Sequence, residues 1–198
     1  MLRSMIDDGL VEKTAELRFI TNGTQHDSEI LTLLSEFPRV DVGVSIDAVG
    51  PLHVYTRGSN VSWDECRRSW QILRSLPNIS RFRICNTLYA YNVFDIKNLR
   101  RWVASEFGDE TPMADAILHK PEYLRADILS ESLLVAARQM LDADDPLEQF
   151  LRRCIDTPLW TPDAVHKARA RFMEFTARLD AIRGESLAAL VPQLSSMF

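Results

Sequence analysis

Polar residues recur where short apolar runs end in this chain. Leu17–Thr21 runs directly into Asn22 and Gly23, and the alternating stretch from Val40 reaches Ser45 and Asp47 with Gly50 close behind. A purely structural sheet has no need of hydroxyl, amide and carboxylate groups at two successive strand ends, whereas a ligand site there does. Other chemistries fit the residues less well. Ser45, Asp47 and His53 lie near one another in sequence, but the Gly-x-Ser-x-Gly elbow and oxyanion loop of Ser-His-Asp hydrolysis are missing. His26, His53, His119 and His166 include no helix-spaced pair to hold a metal. The three cysteines, Cys66, Cys85 and Cys154, are far apart and odd in number, so they form neither a disulfide framework nor a zinc knuckle. They read as small buried hydrophobes.

The elements that must position these groups alternate through the first half. Leu17–Thr21 reads as a strand and Ser28–Phe37 as a helix with Ile30, Leu31, Leu33 and Leu34 as its buried stripe. The next strand alternates strictly, with Val40, Val42, Val44 and Ile46 on one face and Asp41, Gly43, Ser45 and Asp47 on the other. Ser62, with Glu65 three residues on, forms a capping box that opens a helix reaching about Leu76. A strand over Ser80–Ala90, a helix from about Asn92 to Phe107 and a short strand over Met113–Leu118 complete the alternation. Strands separated by single helices predict βα units in a parallel sheet with right-handed crossovers. After about residue 125 only helical patterns remain, and the boundary falls near Pro121. In the last long helix Val165, Ala168, Phe172, Phe175, Leu179 and Ile182 make one apolar stripe. That stripe fits a helix packed on its own domain better than a coiled-coil seam, since short helices rely on tertiary packing.

The fold class expected is therefore α/β, with residues 1–125 as the strand-containing part and 126–198 as a helical extension. The alternating face from Asp41 to Asp47 suits an edge strand or the inside of a closed or partly closed barrel. In the barrel, small and polar residues leave room for a ligand at the strand ends. At 198 residues, 46% hydrophobic and 26% charged, the chain has the composition of a soluble globular protein that buries a core. A net charge of -5 without a basic arm argues against a nucleic-acid binder. The sequence has no apolar run long enough for a membrane span and no signal-like start, so the cytoplasm is the expected location.

Four segments in order, FITNGT, VGVSIDAVG, HVYTRGSNVSWDECRRSWQIL and ICNTLYAYNVFDIKNLRRWV, together with the ending LDAIRGESLAALVPQL, carry a resemblance. The chain resembles the later part of twitch-domain-containing radical S-adenosylmethionine proteins, over nearly its whole length. The resemblance implies a partial (β/α) barrel holding S-adenosylmethionine above a [4Fe–4S] cluster, whose electron yields a 5′-deoxyadenosyl radical that abstracts hydrogen from a substrate. It places Thr21 and Asn22 at the end of the third barrel strand, Ser45 and Asp47 at the end of the fourth, and Thr87 and Asn92 at and after the fifth. The resemblance implies that these positions would supply polar contacts to the cofactor. Arg57, in the loop after the fourth strand, would grip the cofactor carboxylate bidentately. Each residue also has a structural reading: Asn22-Gly23 as a turn, Asp47 as a loop cap, Arg57 as a solvated surface charge.

The departure from that family is large. The Cys-x-x-x-Cys-x-x-Cys cluster motif and the Gly-Gly-Glu-Pro segment are absent, and Met1 to Lys13 corresponds to the end of the family's second helix. The cysteines present offer no local convergence for a cluster. The expectation is a truncated or split radical S-adenosylmethionine protein, inactive alone, completed by a missing N-terminal half or a partner chain. It would act on a peptide or small-molecule substrate. The competing expectations are a non-catalytic α/β module that binds a nucleotide-like ligand or a partner protein, and a structural domain whose C-terminal helices form an interaction surface.

Overall fold

The computed structural model describes residues 2–9, 15–24, 28–58 and 62–198. The strands are β1 (Glu16–Thr21), β2 (Arg39–Ser45), β3 (Ile79–Leu88) and β4 (Met113–Ile117), and the sheet order is β1-β2-β3-β4. β1 pairs with β2 and β2 with β3 in parallel, with Leu17 opposite Val40 and Val44 opposite Ile84, and the β2–β3 register shifts by one residue between Val40 and Asp41. The helices are α1 (Leu2–Asp7), α2 (Ser28–Ser35), α3 (Pro51–Arg57), α4 (Trp63–Ser75), α5 (Ile96–Phe107), α6 (Glu131–Met140), α7 (Pro146–Asp156), α8 (Pro162–Arg183) and α9 (Leu187–Leu190). The fold is α/β with a four-stranded parallel sheet, and past Ile117 the described elements are all helical, including two short 3₁₀ turns over Glu122–Leu124 and Ala126–Ile128. No helix among the described residues is long and apolar enough to cross a membrane.

The chain groups into two compact units. The first comprises Met1–Ile46, Ser59–Cys85 and Glu110–Ala114. Its centre is β2, where Val40, Val42 and Val44 are fully buried as the alternation requires. The opposite face of β2 is also buried, because it lies between two strands and meets their side chains. Asp41 is 2% exposed and is paired with Arg18 Nε at 2.8 Å and with Arg83. A buried carboxylate is tolerable only with such partners. Gly43 lies against Cys85 Sγ and Ile20, where a Cβ would have no room. Between Asp41 and Gly43 this face is thus filled rather than open to a ligand.

In α2 only Leu34 of the expected stripe is buried, and Ile30 is exposed. Burial concentrates at the C-terminal end of the helix, where Asn78 Nδ2 donates to the carbonyls of Leu34 and Phe37 at 2.7 and 2.8 Å. The capping box of α4 forms as the sequence predicts, with the Glu65 amide donating to Ser62 Oγ and Glu65 accepting from the Ser62 amide. It aims Trp70, wholly buried, at the turn after β1, where the indole N–H donates to the Asn22 carbonyl at 2.9 Å. That turn requires glycine at position 23: φ is +60°, and a Cβ would fall 2.7 Å from Trp70 Cδ1. Gly23→Ala should lower unfolding free energy by about 2–3 kcal/mol, left-handed strain plus overpacking against a rigid indole. Urea denaturation followed by tryptophan fluorescence measures it, and a loss below about 0.5 kcal/mol would overturn the account.

The second unit comprises Asp47–Gly58, Asn86–Asp109 and Asp115–Phe198. One apolar core runs from Ala48, Leu52 and Tyr55 through Leu88, Ile96 and Ile128 to Leu151, Phe172 and Leu194. The long helix α8 packs on this core through Ala168 and Phe172, with Phe175 and Leu179 partly buried. Ile182, expected in the same stripe, is 77% exposed. The buried line passes instead through Thr176, whose hydroxyl bonds Tyr91 Oη at 2.8 Å, and on to Asp180, which accepts from Tyr55 Oη at 2.6 Å. A straight α-helix drifts relative to a seven-residue repeat, so polar residues take over the face before the helix ends. Arg100 adds a polar clamp, donating to Asp115 and Asp145, while Asn86 donates to the other oxygen of Asp115 at 3.0 Å.

Candidate functional site

Asp47, Arg57, Thr87 and Asn92 come together within the second unit. Helix α3, which carries Arg57, was expected as loop. The chain between Gly50 and Gly58 is helical because Pro51 begins it and Gly58, at φ +63°, ends it in the left-handed region. Proline at a first position and glycine after the last were the available signal. Asp180 holds α3 through the Tyr55 hydroxyl and itself accepts the Leu187 amide at 3.0 Å. The C-terminal helices therefore fix where the Arg57 guanidinium lies.

Asp47 is 5% exposed, and both carboxylate oxygens are engaged. One accepts the Thr87 amide at 2.9 Å, and the other pairs with Arg57 Nη2 at 2.6 Å. Burial pushes the Asp47 carboxyl up from its ordinary range, while Arg57 and the Thr87 amide pull against it. Arg57 keeps a buried Nε–H with no partner among the described residues. Asn92 is fully buried and does not line the cleft. Its Nδ2 donates to the carbonyls of Asp47 and Thr87, each at 2.8 Å, and its Oδ1 accepts the Tyr89 amide at 2.9 Å. Asn92 therefore ties the segment after β2 to the end of β3 and sets the spacing between Asp47 and Thr87.

A cleft of about 300 Å³ opens over this arrangement, bordered by Asp47, Thr56, Arg57, Thr87 and Tyr89, with Leu118, Pro121 and Leu124 as an apolar wall. The Tyr89 hydroxyl bonds Thr56, and burial together with the Asp47 charge holds its pKa above the ordinary phenol value. Tyr89 and Thr56 were not singled out from the sequence, and the TLYAYNV segment was the only hint of the first. His53, one turn before Arg57 on α3, is 1% exposed, and burial with the nearby Arg57 charge brings its pKa down to about 3. The cleft thus presents hydroxyls, a guanidinium donor and a buried carboxylate against an apolar wall. This set suits a ligand with one flat apolar part and several polar groups.

Thr21, Asn22 and Ser45 belong to the first unit. Thr21 Oγ1 accepts the Gly23 amide at 3.0 Å, Asn22 Oδ1 accepts the Thr24 amide at 3.4 Å, and both thereby build the turn. Ser45 is half-buried at the end of β2 opposite Cys85. Among the described residues no group of three or more His, Cys, Asp or Glu side chains could hold a metal ion, and His26 lies outside them. Cys66 is buried in α4 and Cys154 in α7, and burial pushes the Cys154 thiol up to about 12. No protein-family model matches the chain, and a search of curated proteins finds no relative.

Proposed function

We propose that the Asp47–Arg57 cleft binds S-adenosylmethionine or a ligand of the same nucleotide-like build. The chain in this reading supplies the later strands of a radical S-adenosylmethionine-type partial barrel and is inactive alone. The observation that carries the reading is the Arg57 guanidinium, anchored by Asp47 yet keeping a buried, unpartnered Nε–H at a cleft with Thr87 and Tyr89 beside it. The order β1-β2-β3-β4 supports it too, since a barrel wall adds strands sequentially whereas a doubly wound sheet reverses.

The residues present fit the nucleotide. Arg57 has donors to spare for an amino-acid carboxylate, and each Asp47 oxygen retains a lone pair for a ribose hydroxyl. The residues do not fit the [4Fe–4S] cluster. Its thiolate ligands must converge, and here two of the three cysteines are buried in separate helices and the third lies in β3. The cluster would have to come from another polypeptide segment. The same observation favours a second reading, a non-catalytic module that retains the nucleotide cleft.

Isothermal titration of the chain with S-adenosylmethionine tests the shared claim. Saturable binding is expected, and Arg57→Ala should weaken it by about 2 kcal/mol through loss of a charged hydrogen-bond donor. Equal affinity in both proteins, or no saturable binding, would overturn the assignment. Formation of 5′-deoxyadenosine under reducing, anaerobic conditions, with a cysteine-motif segment supplied, then separates the enzyme reading from the module reading.

A further inference from the structure

A second recess in the same unit has a different chemistry. Two hollows of about 570 and 600 Å³ share Tyr123, Lys167 and Arg171 and so form one groove along α8. At the helical repeat Lys167, Arg171, Glu174 and Arg178 stand in a single row. Lys120 and Glu122 edge the side of the groove formed by the segment before α6. The groove thus carries four cations against two acids. Among the described residues Lys120, Arg171 and Arg178 have no carboxylate partner, and Lys167 has only the exposed Asp163 at 2.8 Å. Aromatic rings make its floor. The Arg171 guanidinium lies 5.1 Å from the Tyr123 ring centroid, and that of Arg125 lies 5.0 Å from the ring centroid of Trp160.

We infer that this groove binds an extended acidic peptide segment. Arg171, unpaired and held over the Tyr123 ring, is pre-organised, so a carboxylate gains from it with little ordering cost, whereas Arg125 over Trp160 is already paired with Asp127. From Ala164 to Arg178 the groove runs about 20 Å along α8, which an extended peptide spans in about six residues. Carboxylates spaced along such a peptide can meet Lys167, Arg171 and Arg178 and avoid Glu122 and Glu174. A nucleic acid fits less well: its evenly spaced phosphates would meet Glu174, and the rings its bases would stack on are already covered by arginines. The inference is independent of the Arg57 cleft.

The test uses the full chain and a fluorescein-labelled peptide of about eight residues alternating glutamate and leucine, followed by fluorescence anisotropy at low salt. Saturable, salt-sensitive binding is expected. The double variant Arg171→Glu, Arg178→Glu changes exposed positions only, and should weaken binding by about tenfold or more through like-charge repulsion. Arg57→Ala should leave peptide affinity unchanged. Affinity unaltered by the charge reversal would overturn the inference, as would tighter binding of a single-stranded oligonucleotide of matching length at the same salt. Charge-reversed protein with an unchanged circular dichroism spectrum shows that any loss is local.

Discussion

Replacing Asn92 with alanine should destabilise the protein by about 4 kcal/mol. The side chain is fully buried and satisfies three backbone groups at once: the Asp47 and Thr87 carbonyls and the Tyr89 amide. Removing it strands all three without water, and each buried unsatisfied group costs about 1–3 kcal/mol. Asn92→Asp should be nearly as damaging, because a carboxylate would set an oxygen against the two carbonyls that the amide now serves. Urea unfolding at pH 7 measures both variants. A loss under about 1 kcal/mol would mean that water or a rearranged loop takes over the amide's role. The consequence reaches the cleft, since Asp47 and Thr87 owe their spacing to this residue. Any ligand binding that depends on them should fall with Asn92→Ala even where the variant remains folded.

Much of this arrangement was legible in residue types. The β-branched alternation from Val40 to Ile46 marked β2, and the Ser62–Glu65 pair marked the start of α4, because both signals are local and depend on a repeat or a cap. Asp47 and Thr87 stood out as polar residues toward strand ends, the family resemblance added Arg57 in the segment that follows, and the three meet in one unit. What escaped is what depends on partners far away in sequence. Asp41 looked like a cavity-lining residue on a polar face, yet Arg18 and Arg83 bury it. Nothing in its own segment announces those partners. Asn92 read as a ligand contact, whereas its amide is spent on the backbone. Helix α3 was missed because seven residues are too few to show a period, although Pro51 and Gly58 punctuate both ends. Periodicity likewise cannot tell that α3 groups with the C-terminal helices, since that depends on Tyr55 meeting Asp180 across 125 residues.

His53 should make the protein acid-labile well above the range of carboxylate protonation. The imidazole is 1% exposed, and burial with the Arg57 charge nearby holds its pKa down to about 3. The unfolded chain takes up a proton at this residue near pH 6.5, while the folded chain stays neutral until far lower pH. Between those values the unfolded state binds more protons, so stability falls as pH falls. From pH 7 to pH 4 this single group should remove about 3 kcal/mol. Asp47 and Asp95 act in the opposite direction, because burial raises both carboxyls and the folded state takes up their protons at a higher pH than the unfolded chain does. Comparison with His53→Leu cancels those contributions, leaving the histidine alone. The stability gap between the wild type and His53→Leu should therefore shift by about 3 kcal/mol in favour of the leucine variant on going from pH 7 to pH 4. An unchanged gap would show that the ring is solvated or paired in its charged form. An imidazole resonance that titrates near pH 6.5 in the folded protein would show the same. Because His53 and Arg57 lie one turn apart on α3, protonation would put two cations side by side in a buried helix. If the cleft binds a ligand as proposed, loss of that affinity should begin before global unfolding, with the Arg57 end of α3 the first part to release.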